Sequence, residues 1–332
     1  MSDSTATGGL DRRAFLKATA VAAGAQAMAA PQGVTAGLSN SAEGTGGPAT
    51  RGTRSALKSA TPSAGLIDVN VNLSRWPCRR LPLDETPALV AHLRKCGVVQ
   101  AWAGSFDGLL HKNLRAANAR LADECHRQGE AVLIPFGSVN PMLPDWEEDL
   151  RRCAHQHCMP GIRLHPGYHG YKFDDPAFAR LLRLAVQERL IVQLALCMED
   201  ERMMSPLLRA PAVDPAPLAA LVKQTAGLRL VLLNTRSPLS VAPLTALQGP
   251  SEVYLEIAML EGVAAIERLL AAVPLTRLCF GSHAPFYIIE SALLKLHESV
   301  LSDEQLRAVR RANAARLLAG KTNSAKQRPV AG

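Results

Sequence analysis

The sequence predicts an eight-stranded (β/α)8 barrel, and three observations carry that prediction. From residue 66 onward, strand-like apolar segments recur eight times, roughly every 30 residues, with helical patterns between them. No Gly-x-Gly-x-x-Gly turn follows the first segment, which disfavours an open doubly wound sheet. Several segments end in polar residues, as expected where a barrel's mouth is assembled from strand ends.

The first segment, Leu66-Ile67-Asp68-Val69-Asn70-Val71-Asn72, alternates. Asp68, Asn70 and Asn72 are expected on one face, turned into a shared polar interior, with Ile67, Val69 and Val71 on the other under helices. A helix is expected from Pro87 to Cys96, stopped by Gly97, then a second strand over 98–103. A helix over 113–128 and a strand over 131–136 follow, then a helix over 146–157 and a strand over 161–164. Asp174 or Asp175 caps a helix with Pro176 in its first turn, leading to a strand over 190–195. Further strands are expected over 229–233, 253–257 and 275–280, with helices near 218–225, 243–247, 262–272 and 288–296. Ser302 and Gln305 have capping-box spacing at the start of a closing helix over 302–318. The barrel is thus expected over 65–320.

A formal charge of +8 on 332 residues suggests an acidic partner until its location is considered. Six Lys/Arg against three acids lie in residues 1–64, and three Lys/Arg with no acid lie in residues 321–332. The basic balance therefore belongs mostly to the ends, and no aromatic–basic interleaving marks a nucleic-acid surface. The seven cysteines are scattered, odd in number and free of any C-x-x-C pair, so buried free thiols are expected rather than a disulfide framework.

Asp11-Arg12-Arg13-Ala14-Phe15-Leu16-Lys17 and the Ala-rich run to Ala30 resemble a twin-arginine export signal. The run is too short to span a bilayer, and small residues around Ala25–Ala29 offer cleavage sites. Residues 1–30 are therefore expected to be removed, 31–64 to be a Gly/Ser/Thr-rich linker, and 321–332 a disordered tail. The resemblance implies passage of a folded protein to the periplasm, with the twin-arginine machinery as a partner.

The strand ends supply candidate chemistry. Arg163 and His165 share a face before Pro166 and could hold a carboxylate and move a proton. Asn234 ends the sixth strand, and Glu256 is a lone acid between apolar Leu255 and Ile257. His283 follows Gly281-Ser282, where Gly281 is expected to let the backbone turn. Trp76, Trp102 and His111 are candidate pocket walls. The segment 196–217, with Met198, Met203 and Met204 among charges, is expected to be a surface helix packing its methionines on the barrel, or else a lid.

Residues 66–320 resemble the amidohydrolase-related family of TIM barrels, which includes aminocarboxymuconate-type decarboxylases, lactonases and metal-dependent hydrolases. The carrying stretches are Ile67–Asn72 against Ile-Asp-x-His-x-His, Gly161–Pro166, Phe280–Phe286 against Phe-Gly-(Ser/Thr)-Asp-x-Pro, and Arg311–Leu318. At the positions where the resemblance implies metal ligands stand Asn70, Asn72, Ala195, Asn234 and His283. Amides are poor zinc ligands, so no family-type zinc and no other cofactor is expected. A divalent metal would need a relocated site of His165, Glu256 and His283.

The resemblance implies a hydrolase for a small lactone or carboxylated substrate, working without tightly bound zinc. In it His283 would activate water, oriented by Glu256 or Asp68. Arg163 and His165 would hold the substrate, with Asn70, Asn72 and Asn234 donating hydrogen bonds and Trp76 and Trp102 as walls. The alternatives are a non-catalytic small-ligand-binding barrel and a metal-dependent hydrolase or decarboxylase using the relocated triad. A second copy of the chain, in a homo-oligomer, is the protein partner expected besides the export machinery, and no nucleic-acid partner is expected.

Overall fold

The computed structural model describes residues 65–320 apart from 130, 211–212, 237 and 247–249. The expected signal, linker and tail lie outside the described residues. Eight parallel strands form one sheet in chain order: β1 Leu66–Leu73, β2 Val98–Ser105, β3 Leu133–Ser138, β4 Gly161–Leu164, β5 Ile191–Ala195, β6 Arg229–Leu233, β7 Glu252–Glu256 and β8 Leu278–Cys279. Val69 N–H donates to the Phe280 carbonyl at 3.0 Å, and Asn72 N–H to the Ala284 carbonyl at 2.8 Å. These bonds bring β1 against the chain leaving β8, so the sheet closes into the barrel that the sequence predicts.

Helices cover the barrel because each presents one apolar stripe. In Trp146–His155 the buried residues are Trp146, Leu150 and Cys153, and in Pro176–Gln187 they include Phe178, Leu181, Leu182 and Ala185. These stripes join Ile162, Leu164, Val192 and Leu194 of the strands in one outer cluster. A second cluster, including Val69, Trp102, Phe136, Val231 and Tyr254, fills the barrel itself.

The expected alternation of β1 is corrected. Between Asp68 and Val71 the register with β2 shifts, because β1 spends three steps while its partner moves from Ala101 to Ala103. That extra residue is a bulge. Val69 therefore joins the inner cluster with Ile67, while Val71 joins the outer one. The bulge is what lets a strand with an apolar inner base carry two amides at its mouth.

Other boundaries differ for local reasons. Asp107–Leu110 and Pro166–His169 are short helices where connections were expected. β8 is shorter than expected because Leu275–Arg277 forms a 3-10 turn. The closing helix starts with the capping box, Ser302 Oγ accepting from Gln305 N–H at 3.2 Å and Gln305 Oε1 from Ser302 N–H at 2.8 Å. It then passes through a π-helical turn, Ala308–Ala312, before Asn313–Ala319. Among the described residues of 196–217 there is no helix: Met198 and Met204 are buried, whereas Met203 is exposed.

Candidate functional site at the barrel mouth

The strand ends and the residues just beyond them carry Asp68, Asn70, Asn72, Arg163, His165, Gln193, Asn234, Glu256 and His283, each 2% exposed or less. Arg163 lies across Gly104, where a Cβ would come 2.7 Å from Nη1. Its Nε donates to Gln193 Oε1 at 2.8 Å, Nη1 to Asn72 Oδ1 at 2.7 Å and to the Val71 carbonyl at 2.8 Å, and Nη2 to the Trp102 carbonyl at 2.9 Å. Burial lowers its pKa to about 9, partly offset by the charges of Asp68 and Glu256. The guanidinium expected to grip a substrate carboxylate is thus committed to the frame of the barrel.

His283 is similarly engaged. Its backbone is left-handed, with φ of 59°. Nε2 lies 2.9 Å from the Met198 carbonyl, which can only accept, so that nitrogen carries the proton. Nδ1 is then the acceptor for the Asn72 amide at 3.2 Å. Burial lowers the imidazole pKa to about 4, leaving it neutral with both nitrogens used.

The carboxylates are held by backbone. Glu256 Oε1 accepts from Asn234 N–H at 2.6 Å and Oε2 from Ala258 N–H at 2.5 Å. Burial still raises its pKa, against those two bonds and the charge of Lys295. The Asn70 amide donates to Asn234 Oδ1 at 2.7 Å and reaches Glu256 Oε1 at 3.4 Å. Asp68 accepts from Ser282 Oγ at 2.5 Å and from the backbone N–H of Ser282 and Asn70, each at 3.0 Å. Burial nonetheless lifts its pKa to about 7. Gly281 is not among the left-handed residues. Its side-chain-free space is filled by Glu256, whose Oε2 a Cβ would approach to 2.5 Å.

His165 differs from its neighbours. It precedes the helix Pro166–His169, and its Nδ1 is buried without a hydrogen-bond partner. Burial holds it well below the usual imidazole range, helped by His169, Arg163 and His283, so it is neutral. His169 packs edge-on against it at 5.9 Å, and farther along the mouth Trp76 packs edge-on against Phe106, Tyr168 and Phe286, at centroid distances of 5.2, 6.2 and 5.0 Å, with Phe286 in turn stacked on His283 at 4.9 Å. Trp76 Nε1 and the Tyr168 hydroxyl are also buried without partners. Arg79 sits over Phe286 and pairs with buried Glu199 at 3.2 Å, closing this aromatic roof. Trp102, expected as a pocket wall, instead stacks on Phe136 inside the barrel at 5.0 Å, and His111 is exposed.

The donor set at the mouth does not fit the family's metal. Asn70 donates its amide to Asn234 Oδ1 and Glu256, and Asn234 donates to the Cys197 carbonyl; the Asn70 Oδ1 left without a partner is a poor zinc ligand, Ala195 has no donor, and His283 has no free nitrogen. The relocated triad is corrected too. Among the described residues, the His/Cys/carboxylate group whose ligand atoms lie within 4.8 Å of one another is His92, Cys96 and Glu290, on two helices of the outer layer. Nor are all thiols buried, since Cys78 and Cys158 are exposed.

Gln193 and Tyr168 were missed by sequence reasoning. Gln193 supports Arg163 and donates to the Val69 carbonyl at 2.7 Å. A polar residue between Val192 and Leu194 was the available signal. Tyr168 carried none, because a loop tyrosine has no periodicity to read.

No curated protein matches the chain. Solved structures do, at low identity. A 2,6-dihydroxybenzoate decarboxylase from Rhizobium is 14% identical with a TM-score of 0.61, over 76% of this chain and 98% of that one. A 5-carboxyvanillate decarboxylase from Sphingomonas paucimobilis is 13% identical with a TM-score of 0.61, over 76% and 98%. A dihydroxybenzoic acid decarboxylase from Polaromonas, solved with manganese and 2-nitroresorcinol, is 12% identical with a TM-score of 0.59, over 76% and 96%. The expectation of a lactone hydrolase is corrected by these likenesses, which are to decarboxylases. A family model described as amidohydrolase matches residues 76–319, and with the closed barrel around it the chain belongs to the amidohydrolase family.

Proposed function

We propose that the barrel is a decarboxylase-type enzyme for a small hydroxylated aromatic carboxylic acid, with His165 as its proton carrier. The carrying observation is the partnerless, buried Nδ1 of His165, whose carbonyl accepts from the Tyr168 N–H; Tyr168 packs edge-on against Trp76, and the Trp76 Nε1 and Tyr168 hydroxyl are likewise buried without partners. Buried polar groups rarely stay unpaired, so these three support a planar guest with oxygen acceptors.

The chemistry follows from charge. The substrate arrives as a carboxylate, and on its binding the neutral imidazole takes up one proton from solvent, because the resulting imidazolium–carboxylate pair is mutually stabilised where water is excluded. His165 then delivers that proton to the ring carbon bearing the carboxylate. The carbon–carboxyl bond breaks, its electron pair restores the aromatic ring, and carbon dioxide leaves with His165 neutral again. A ring hydroxyl ortho or para to the carboxylate would supply the electron density that makes the carbon basic. Trp76 and Tyr168 would orient the guest's oxygens.

The test is carbon dioxide release from a panel of hydroxybenzoic acids, 2,6-dihydroxybenzoate and 5-carboxyvanillate included, run in D2O. One deuterium should appear at the vacated carbon, and His165→Asn should lower kcat by about 10²-fold or more. Equal rates in His165→Asn, or no release from the whole panel, would sink the reading. A second reading, a non-catalytic binding barrel, is favoured by the commitment of Arg163 and His283 to protein partners. It wins if the acids bind saturably and none is decarboxylated.

We also propose export to the periplasm, on the paired Arg12 and Arg13 ahead of the Ala-rich run. Replacing both by Lys should leave the protein full-length in the cytoplasm; unchanged processing would count against it.

A further inference from the structure

His92 and Cys96 stand one helical turn apart at the end of the helix Thr86–Lys95, which follows β1. Glu290 comes from the first turn of the helix Ile289–Glu298, which follows β8. His92 Nε2 lies 2.9 Å from Glu290 Oε1 and 3.9 Å from Cys96 Sγ. With zinc bonds of about 2.0–2.3 Å, ligand atoms in a tetrahedral site sit roughly 3.3–3.7 Å apart. These two spacings bracket that range and all three ligand atoms lie within 4.8 Å of one another, so an adjustment of the side-chain tips would seat an ion.

We propose that His92, Cys96 and Glu290 form a peripheral site for a borderline divalent cation of the zinc type, which pins the first outer helix to the helix after β8. An imidazole, a thiolate and a carboxylate are zinc's three protein ligand types, and a water completes the fourth position. The helix C-terminus adds partial negative charge, Cys96 being the C-cap. The His92 and Glu290 side chains are 26% and 47% exposed, which gives an ion a way in.

The place gives the site a purpose. β8 is two residues long, and its continuation meets β1 through a lone bridge, Val71 to Ala284, and two backbone hydrogen bonds. A cation joining the helices on either side of that seam would hold the barrel closed where its ladder is shortest. This role is independent of any chemistry at the mouth.

The full chain, stripped with a chelator and carrying Cys78→Ser and Cys158→Ser to silence the exposed thiols, would be titrated with Co²⁺ and then Zn²⁺. One equivalent of Co²⁺ should give thiolate-to-cobalt charge-transfer absorption, which Zn²⁺ abolishes by displacement. Zn²⁺ should raise Tm by about 2–4 °C at saturating metal. Cys96→Ser should remove the absorption, and Glu290→Gln should weaken Zn²⁺ binding at least tenfold. Absorption that is missing, or that survives Cys96→Ser, would overturn the site and leave an ordinary His–Glu pair beside a thiol. Binding with no change in Tm would overturn the pinning role.

Discussion

The mouth of this barrel has two halves that use the same residue types for opposite ends. Around Arg163, Asn72, Asn234, Glu256 and His283, hydrogen bonds to protein take up the guanidinium, the ring nitrogens and the carboxylate oxygens. Around His165, Trp76 and Tyr168, equally buried polar atoms have no partner. The difference teaches where chemistry can reside. A group whose bonds are all made positions its neighbours, and a buried group with a bond to spare can meet a guest.

The sharpest way to break that comparison is Arg163→Met. It leaves Gln193 Oε1, Asn72 Oδ1 and two carbonyls without their donor. The loss should be on the order of 3–5 kcal/mol in urea unfolding. A variant as stable as the parent would mean that the committed half is no frame.

Asp68→Asn tests the same half through pH. The unfolded carboxyl loses its proton near 3.8, whereas the folded one keeps it to about 7. Between those values the folded state binds more protons, so this group's contribution to stability falls as pH rises, and its cost is complete above pH 7. His283 works the other way, because its folded pKa of about 4 lies below the ordinary 6.5 and its contribution rises with pH across that window. Comparing the variant with the parent isolates Asp68. The gain from Asp68→Asn should be near zero below pH 4 and reach about 1–3 kcal/mol above pH 7. A gain independent of pH would show that Asp68 is ionised in the fold.

His283→Asn should cost about 1–2 kcal/mol, since the shorter side chain cannot span Asn72 and the Met198 carbonyl together. Its thermal unfolding, set beside its kcat, should show a loss of stability larger than the loss in turnover. The reverse result would return His283 to the reactive half.

The smallest effect belongs to the open half. Tyr168→Phe removes a buried hydroxyl that bonds nothing, so the unfolding free energy should stay level or rise by up to about 1 kcal/mol. Affinity for a hydroxybenzoate, read by calorimetry, should fall about 5–10-fold. Destabilisation with unchanged affinity would place the hydroxyl in the frame.

Much of this was legible. Asp68, Asn70 and Asn72 at every second position announced a polar interior, and Glu256 between Leu255 and Ile257 announced its inward face. The bulge at Val69–Asn70 was not legible, because a register shift depends on what the neighbouring strand offers. Arg163 read as a substrate clamp because its type suits carboxylates. Only the surroundings showed that Gln193, Asn72 and two carbonyls already claim it. His92 and Cys96 were readable as a pair one turn apart, but Glu290 lies far along the chain and meets them across the β1–β8 seam.

The sequence by itself determined the barrel, since apolar periodicity and turn residues act over short stretches and repeat eight times. It also marked the strand ends that carry polar residues, although the β1 bulge broke the simple parity and Gln193 went unread. Tertiary structure alone decided which of them remain free to act. Whether a buried donor or acceptor is satisfied depends on partners from other strands, and a hydrogen bond forms or fails over a few tenths of an ångström, a scale that no spacing along the chain encodes.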